Sequence, residues 1–387
     1  MAAATMNIRR IIIVGGGIGG LAVGLALQRR GFRIVVYERA PEFREIGAGL
    51  IVTANARRAL RDLGVDDALA ALSSCVPVRM TCSYATGAVL DEVRTDDIVQ
   101  RFGFASLQVH RADLHGVLHD AVRANDPDAL RAGHEFVSLT QDAAKVSVAF
   151  ANGATDEAEA VIGADGNASA VRSFLFPGEA THFNGQVAFR ALIPNELVPP
   201  AVHRQQMVMH PAPRRYLLHY PLCGGRIMNL IGCGQAVRWE EEGWAIPATN
   251  DEFAAAYADV APHLLDLIRN IPPGALFKWG LRDREPLSTW VLGRVAMLGD
   301  AAHPMTPFLG QGACIAVEDG LVVGRAFAAS ATVQEALSRY EAARKIRGTN
   351  VQLWSRDEGQ ALQDPSKPRR SAVDRGLLDY DPVSAVV

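Results

Sequence analysis

Ile11-Ile12-Ile13-Val14 runs directly into Gly15-Gly16-Gly17-Ile18-Gly19-Gly20, and few folds accommodate that succession. Four β-branched residues without polar alternation suit a strand buried on both faces, as in a parallel sheet. The glycines form a tight turn. Leu21 to Arg30, small and apolar on most sides, reads as a buried helix stopped at Gly31. Arg33 to Glu38 supplies a second strand, so the segment is a βαβ unit. Gly15, Gly17 and Gly20 have the G-x-G-x-x-G spacing. The first glycine allows the sharp turn, the second lets backbone approach a pyrophosphate, and the third lets helix and strand pack closely. A pyrophosphate then meets the free N–H groups of the helix start. Glu38, ending the second strand, is placed to accept ribose hydroxyls. The motif points to a dinucleotide without separating NAD from FAD, or an enzyme from a sensor.

A second reading of the same residues fails. Arg9-Arg10 before the uncharged run Ile11–Gln28 imitates a signal peptide or a short membrane span. Six glycines interrupt that run and no small-residue cleavage site precedes Arg29. A soluble, cytoplasmic protein without stable membrane association is the expectation. With 39 Lys and Arg against 42 Asp and Glu, the net charge is −3, which gives no electrostatic reason to expect nucleic acid. Cys75, Cys82, Cys223, Cys233 and Cys314 are scattered without a CxxC pair, as expected of reduced thiols.

The 387 residues suggest two or three domains at roughly 150 residues each. Helical patterns cover Asn55–Leu63, 111–124, 251–270, 313–329 and 333–356, and strand signals dominate 76–105, 136–164 and 181–235. The polar tail 357–387, with Pro365 and Pro368, reads as an extended or loosely packed extension. Two further clusters narrow the function. Val161-Ile162-Gly163-Ala164-Asp165-Gly166 is an apolar strand entering an Asp-Gly turn. Val291 to Leu298 is a strand entering Gly299-Asp300, and the Pro- and Gly-punctuated loop Ala301–Gln311 leads to a helix near Gly312. Such a loop presents N–H groups and a helix N-terminus to an anion.

These three motifs, in this order, resemble those of the single-component FAD-dependent aromatic hydroxylases. The resemblance spans about residues 9–356. It extends to Glu45-Ile46-Gly47-Ala48-Gly49, His110-Arg111-Ala112-Asp113-Leu114 and Asp283-Arg284-Glu285-Pro286-Leu287. Around 303–313 the chain looks most like the salicylate, 3-hydroxybenzoate and 6-hydroxynicotinate hydroxylases. The implied fold is α/β: a Rossmann-like FAD-binding domain (1–75, 106–180 and 285–356) interleaved with a strand-rich substrate domain (76–105 and 181–284), followed by the extension 357–387. The resemblance implies that Gly15, Gly17 and Gly20 hold the FAD pyrophosphate, Glu38 the adenosine ribose, and Arg111 the phosphate or ribose region. Asp165 and Gly166 would lie near the pyrophosphate and the path of the nicotinamide cofactor, and Asp300 at the ribityl or pyrophosphate part. Pro304 and the loop Gly310, Gln311, Gly312 and Ala313 would border the isoalloxazine ring.

The implied reaction uses NADH or NADPH to reduce FAD, captures O₂ as a C4a-hydroperoxide and transfers OH to an electron-rich ring. Flavin carries the hard chemistry while protein orients and desolvates. The protein's own contribution would be a base that removes the phenol proton. His219, in a strand resembling the active-site strand of the hydroxybenzoate hydroxylases, is the leading candidate, with Gln311 at the family's substrate-facing loop position. Ile51, Tyr220 and Phe308 would line the substrate pocket. Tyr216 and Tyr220 are not expected both to do so, and Arg190 and Arg215, able to pair with a carboxylate, read as structural or exposed. Ile51 stands where the hydroxynicotinate enzymes carry His, a departure from that pattern. His110, His115 and His119 lack the glutamate of an HExxH site, so no metal is expected. No G-x-S-x-G elbow occurs. The expected partners are a small aromatic substrate, a phenolic or N-heteroaromatic acid, and O₂, with the chain a monomer or homodimer. An epoxidase or tailoring hydroxylase on a larger substrate, and a non-catalytic flavin-binding regulator, remain as alternatives.

Overall fold

A computed structural model describes residues 10–44, 47–236, 239, 245–364 and 366–387; the quoted Arg9, Glu45, Ile46 and Pro365 lie outside them. Arg10–Val14 is the strand expected, and Ile11, Ile12, Ile13 and Val14 are buried. It sits inside a six-stranded sheet, between Ala160–Gly163 and Arg33–Tyr37, both parallel to it. Val14 stands opposite Gly163 and Tyr37, so the first two sequence motifs leave the sheet side by side. Val295–Met297 adds to the far side of Ala160–Gly163, also parallel, and brings the Gly299 loop to the same sheet end. Three turns from distant sequence therefore open at the C-terminal ends of neighbouring parallel strands, where open α/β sheets bind ligands.

The helix Ile18–Gln28 packs against the helix Gly312–Ala328 through small residues. A Cβ at Gly320 would come within 2.7 Å of the Val23 nitrogen, and one at Gly324 within 2.9 Å of the Ala26 backbone. The two glycines let the helices touch backbone to backbone, which fixes the start of the later helix beside the first glycine turn.

A second, eight-stranded mixed sheet is drawn from Val78–Cys82, Val89–Arg94 and five strands between His182 and Asp283, with Ile246–Pro247 at one edge. Strand alternation divides its residues. Leu217 and Leu230 face one way and pack with Phe253, Tyr257, Leu264 and Leu267 of the covering helices. Tyr216, Leu218, Tyr220 and Ile231 face the other way. The helical pattern at 251–270 resolves into two helices, Asn250–Ala256 and Pro262–Arg269, because Pro262 starts a new helix rather than continuing one.

The tail departs from expectation. Leu377 and Leu378 are buried with Ala54, Ile98, Phe102, Ile315 and Val351. Arg58 donates to the carbonyls of Leu378 and Tyr380, and Arg325 and Arg339 to those of Pro382 and Val387. Arginines of the folded body satisfy the tail's backbone, so two leucines suffice to anchor a segment whose composition is polar. No helix among the described residues is long and apolar enough to cross a membrane.

Substitution Gly320→Val places side-chain carbon on the neighbouring backbone and is expected to cost about 1–3 kcal/mol, read as a lowered urea midpoint. An unchanged midpoint would contradict this packing.

Candidate active site

The glycine turn is held by contacts only glycine permits. Gly15 has φ +109°, donates from its nitrogen to the Tyr37 carbonyl at 2.7 Å, and would carry a Cβ within 2.7 Å of the Asp165 Cα. A Cβ on Gly20 would fall on the Gly15 carbonyl oxygen. Gly15 and Gly20 thus shape the turn, whereas Gly17 borders the large cavity beside it. Glu38 anchors the same turn: one carboxylate oxygen accepts from the Gly16 nitrogen at 2.7 Å and the other from the Ala40 nitrogen at 2.9 Å. Lone pairs remain on both oxygens for a further donor. His115, considered above only as a metal ligand, reaches the Gly16 carbonyl with Nε2 at 2.8 Å. Among the described residues no cluster of three or more His, Cys, Asp or Glu is arranged to hold a metal ion.

Asp165 accepts from the Ser169 hydroxyl at 2.5 Å and the Val171 nitrogen at 3.0 Å, so its carboxylate is used at the start of the helix Ala170–Leu175. Burial pushes its pKa up against the pull of those donors. Gly166, at φ +79°, borders the cavity in its stead.

The third loop rests on a buried charge lattice that the sequence did not announce. Asp319 accepts from the Gly299 nitrogen at 3.1 Å, from His303 Nε2 at 2.6 Å and from Arg344 Nε at 2.7 Å. Glu318 accepts from Asn55 Nδ2 at 2.6 Å and Arg347 Nε at 2.8 Å and pairs with Arg344 at 2.7 Å. Burial alone would raise both carboxyls, but the cations outweigh it and hold both below the usual range. Asn55 also donates to Gln311 Oε1 at 3.0 Å, and Gln311 Nε2 donates to Thr53 Oγ1 at 3.1 Å. The Gln311 amide is therefore tied into this lattice at both ends. Asp300, Gly310, Gly312 and Ala313 border the cavity, the last two opening the helix Gly312–Ala328 and its free N–H groups. Pro304 is buried beneath the loop, and Pro307 borders the cavity instead. Phe308 packs on Gly359 and is not a cavity wall.

The opposite wall is the eight-stranded sheet. Arg111 and Ile51 border the cavity near it, and Tyr216, Leu218, Tyr220, Arg190 and Trp279 project from it. Some 1380 Å³ of space lies between the walls, counting that open to solvent. Both tyrosines line it, against expectation: residues 216, 218 and 220 share a face by the period of two. The same alternation turns His219 away. His219 is buried on the reverse face, with Nε2 3.3 Å from His210 Nε2 and the rings stacked at 5.4 Å. Gly49 lies close beneath Tyr220, where a Cβ would sit 2.9 Å from the phenol oxygen. Arg190 holds its guanidinium 5.5 Å from the Trp279 ring centre, and its Nε is buried without a hydrogen-bond partner. No carboxylate among the described residues pairs with it. Arg215, by contrast, pairs with Asp259 outside the cavity. Arg190, Tyr216 and Trp279 all border the cavity; the period of two from Tyr220 points to Tyr216, while Trp279 carries no signal of its own in the sequence.

A backbone cradle without Cβ atoms, an open helix N-terminus and an aromatic-walled end together fit an elongated dinucleotide whose reactive end reaches the sheet. Comparison with known proteins agrees. A family profile described as "FAD binding domain" matches residues 9–355. The chain is 32% identical over 352 residues to 3-hydroxybenzoate 6-hydroxylase of Polaromonas naphthalenivorans, covering 90% of this chain and 87% of that one. It is 33% identical over 365 residues to 6-hydroxynicotinate 3-monooxygenase of Pseudomonas fluorescens, covering 92% and 93%. Among solved structures, a variant of Klebsiella pneumoniae HpxO complexed with FAD superposes with a TM-score of 0.82 at 25% identity, over 96% of this chain and 95% of that one.

Removing Asp319 leaves Arg344 with one fewer counter-charge and the Gly299 nitrogen without its acceptor. Asp319→Ala is expected to cost about 3–5 kcal/mol in unfolding free energy and to weaken FAD binding, both measurable by denaturation and flavin fluorescence. Burial lowers the pKa of His210 from 6.5 to about 4. The unfolded chain then binds a proton that the folded chain refuses between those values, so stability is complete above 6.5 and declines as pH falls toward 4. Unfolding free energies from urea denaturation near pH 7 and pH 5 should differ by on the order of 2 kcal/mol, with a smaller difference in His210→Gln.

Proposed function

The chain belongs to the FAD-dependent aromatic-ring monooxygenases, and from that premise we propose that it hydroxylates a small phenolic or N-heteroaromatic acid with NAD(P)H and O₂. The observation that carries the substrate class is the cavity's sheet wall, where aromatic side chains stand around one half-buried arginine, Arg190, whose Nε is buried and which has no carboxylate partner among the described residues. Such a wall favours a flat, anionic ring: the apolar faces take the ring and the cation takes its charge.

FAD, when bound, supplies the electron transfer from NAD(P)H and the activation of oxygen. The chain supplies the rest. Gly17, Gly166 and Glu38 would hold the adenine-side half, with Arg111 and Asp300 along the linker. Gly310 adopts φ +62°, and together with Gly312 and Ala313 it offers bare backbone to the flavin's ring end. The N–H groups of Gly312 and Ala313, at a helix start, stabilise negative charge there. Ile51, Leu218, Tyr216 and Tyr220 exclude water and orient the aromatic substrate. Glu318 and Asp319 touch none of these groups and act by holding the loop that does.

The test is a panel of hydroxybenzoic and hydroxypyridine carboxylic acids offered to the FAD-loaded protein with NADH or NADPH. At least one acid should accelerate NAD(P)H oxidation and leave a product heavier by one oxygen atom. A protein that stays colourless with FAD, or whose NAD(P)H oxidation no aromatic acid changes, would sink the proposal.

A further inference from the structure

Ring hydroxylation of a phenol requires its ionised form, yet the cavity provides no evident group to take the proton. No histidine borders it among the described residues, and His219 lies on the reverse face of the sheet. The titratable side chains that do border it are Arg111, Arg190, Tyr216, Tyr220 and Asp300. Burial pushes the Tyr220 phenol up to about 12 and that of Tyr216 well above its ordinary value, so both stay protonated and neither accepts a proton at neutral pH. Gln311, not itself a base, spends its amide on Thr53 and Asn55. Asp300 is exposed and stands on the loop wall beside Gly312, where a Cβ would be 3.8 Å from its Oδ1, away from the sheet wall.

On the sheet wall the charge is positive. Arg190 stands opposite Ile231 on one neighbouring strand and Phe277 on the other, with its guanidinium 5.5 Å from the ring centre of the diagonal neighbour Trp279 and with Tyr216 and Tyr220 further along the same wall. Its Nε is buried and lacks a hydrogen-bond partner, and Arg111 stands near enough to add a like charge rather than cancel it. We propose that Arg190 replaces a general base: its guanidinium holds the substrate's ring oxygen as the phenolate, and the proton leaves to water. The O–H bond breaks heterolytically, its electron pair stays on the ring oxygen, and nothing is oxidised or reduced in that step. An opposite charge within hydrogen-bonding range lowers an acid's pKa by about 1–3 units, which brings an ordinary phenol of about 10 toward neutrality. The proposal rests on the ring-hydroxylation reading and specifies which substrate atom Arg190 meets.

The test uses the FAD-loaded wild type, Arg190→Lys and Arg190→Gln with a series of ring-fluorinated hydroxyaromatic acids of falling phenol pKa. Two things are read: kcat and KM against pH, and the ultraviolet phenolate band of the bound acid, which needs no turnover. The acid limb of kcat should move with each substrate's own phenol pKa. For the least acidic phenol Arg190→Gln should lower kcat by about 10- to 1000-fold and abolish the phenolate band, and with the most acidic one both should recover. Arg190→Lys should restore both in part. An acid limb fixed near one pH for every substrate would point to a protein base and overturn the proposal. So would a raised KM in Arg190→Gln with kcat and the band unchanged, which would make Arg190 a carboxylate anchor. If no acid is hydroxylated at all, the functional reading fails, but the band still decides Arg190: its absence in the wild type at saturating acid rejects the role.

Discussion

The site depends on a backbone approach that only glycine allows. Gly15 turns under Gly20 so tightly that a Cβ on Gly20 would meet the Gly15 carbonyl, and a Cβ on Gly15 would meet the backbone of Ala164 and Asp165. That contact joins two turns more than 140 residues apart at adjacent ends of parallel strands. Without it the strand ends would still lie side by side, but the turns leaving them would splay and the cradle for a dinucleotide would open. Gly320 and Gly324 repeat the device between helices, pressing Gly312–Ala328 onto Ile18–Gln28. The helix start that borders the cavity is therefore positioned by the same device as the first glycine turn: missing side chains.

Charge does the second half of the positioning. A loop as rich in Gly and Pro as Gly299–Gly312 has little intrinsic rigidity, and Asp319 fixes its first residue through the Gly299 nitrogen while Glu318, Asn55 and Thr53 fix its last turn through Gln311. Arg344 bridges the two carboxylates from the long helix Val333–Gln363, and Arg347 carries the contact on to the Leu377 carbonyl of the tail. Burying so many charges is tolerable only because each carboxylate is paired and further hydrogen-bonded. The tail, polar in composition, thereby belongs to the support of the cavity floor.

What the sequence made legible were features whose meaning is local. Ile11–Val14, the glycine spacing and the strands ending at Gly163 and Leu298 carry their structure in their own composition, and their joint order carried the family. Side-chain direction within the strand Arg215–Leu222 was legible too, since a period of two separates Tyr216 and Tyr220 from His219. Asp319, Glu318 and Arg344 were not legible, because a charge in a helix looks solvated until the elements packed around it are known. Nor were Leu377 and Leu378, whose burial depends on arginines of the main body satisfying the backbone around them. The amide of Gln311 sat at the expected loop position, yet its partners Thr53 and Asn55 come from the opposite end of the chain.

A crystal structure of the FAD-loaded protein with a bound hydroxyaromatic acid tests most directly whether the ring sits against the tyrosine face rather than the histidine face. The expected electron density shows the ring bounded by Ile51, Tyr216 and Tyr220, with its ring oxygen on Arg190. A ligand seated instead beside His210 and His219, or a cavity holding FAD but no aromatic acid at saturation, would contradict it.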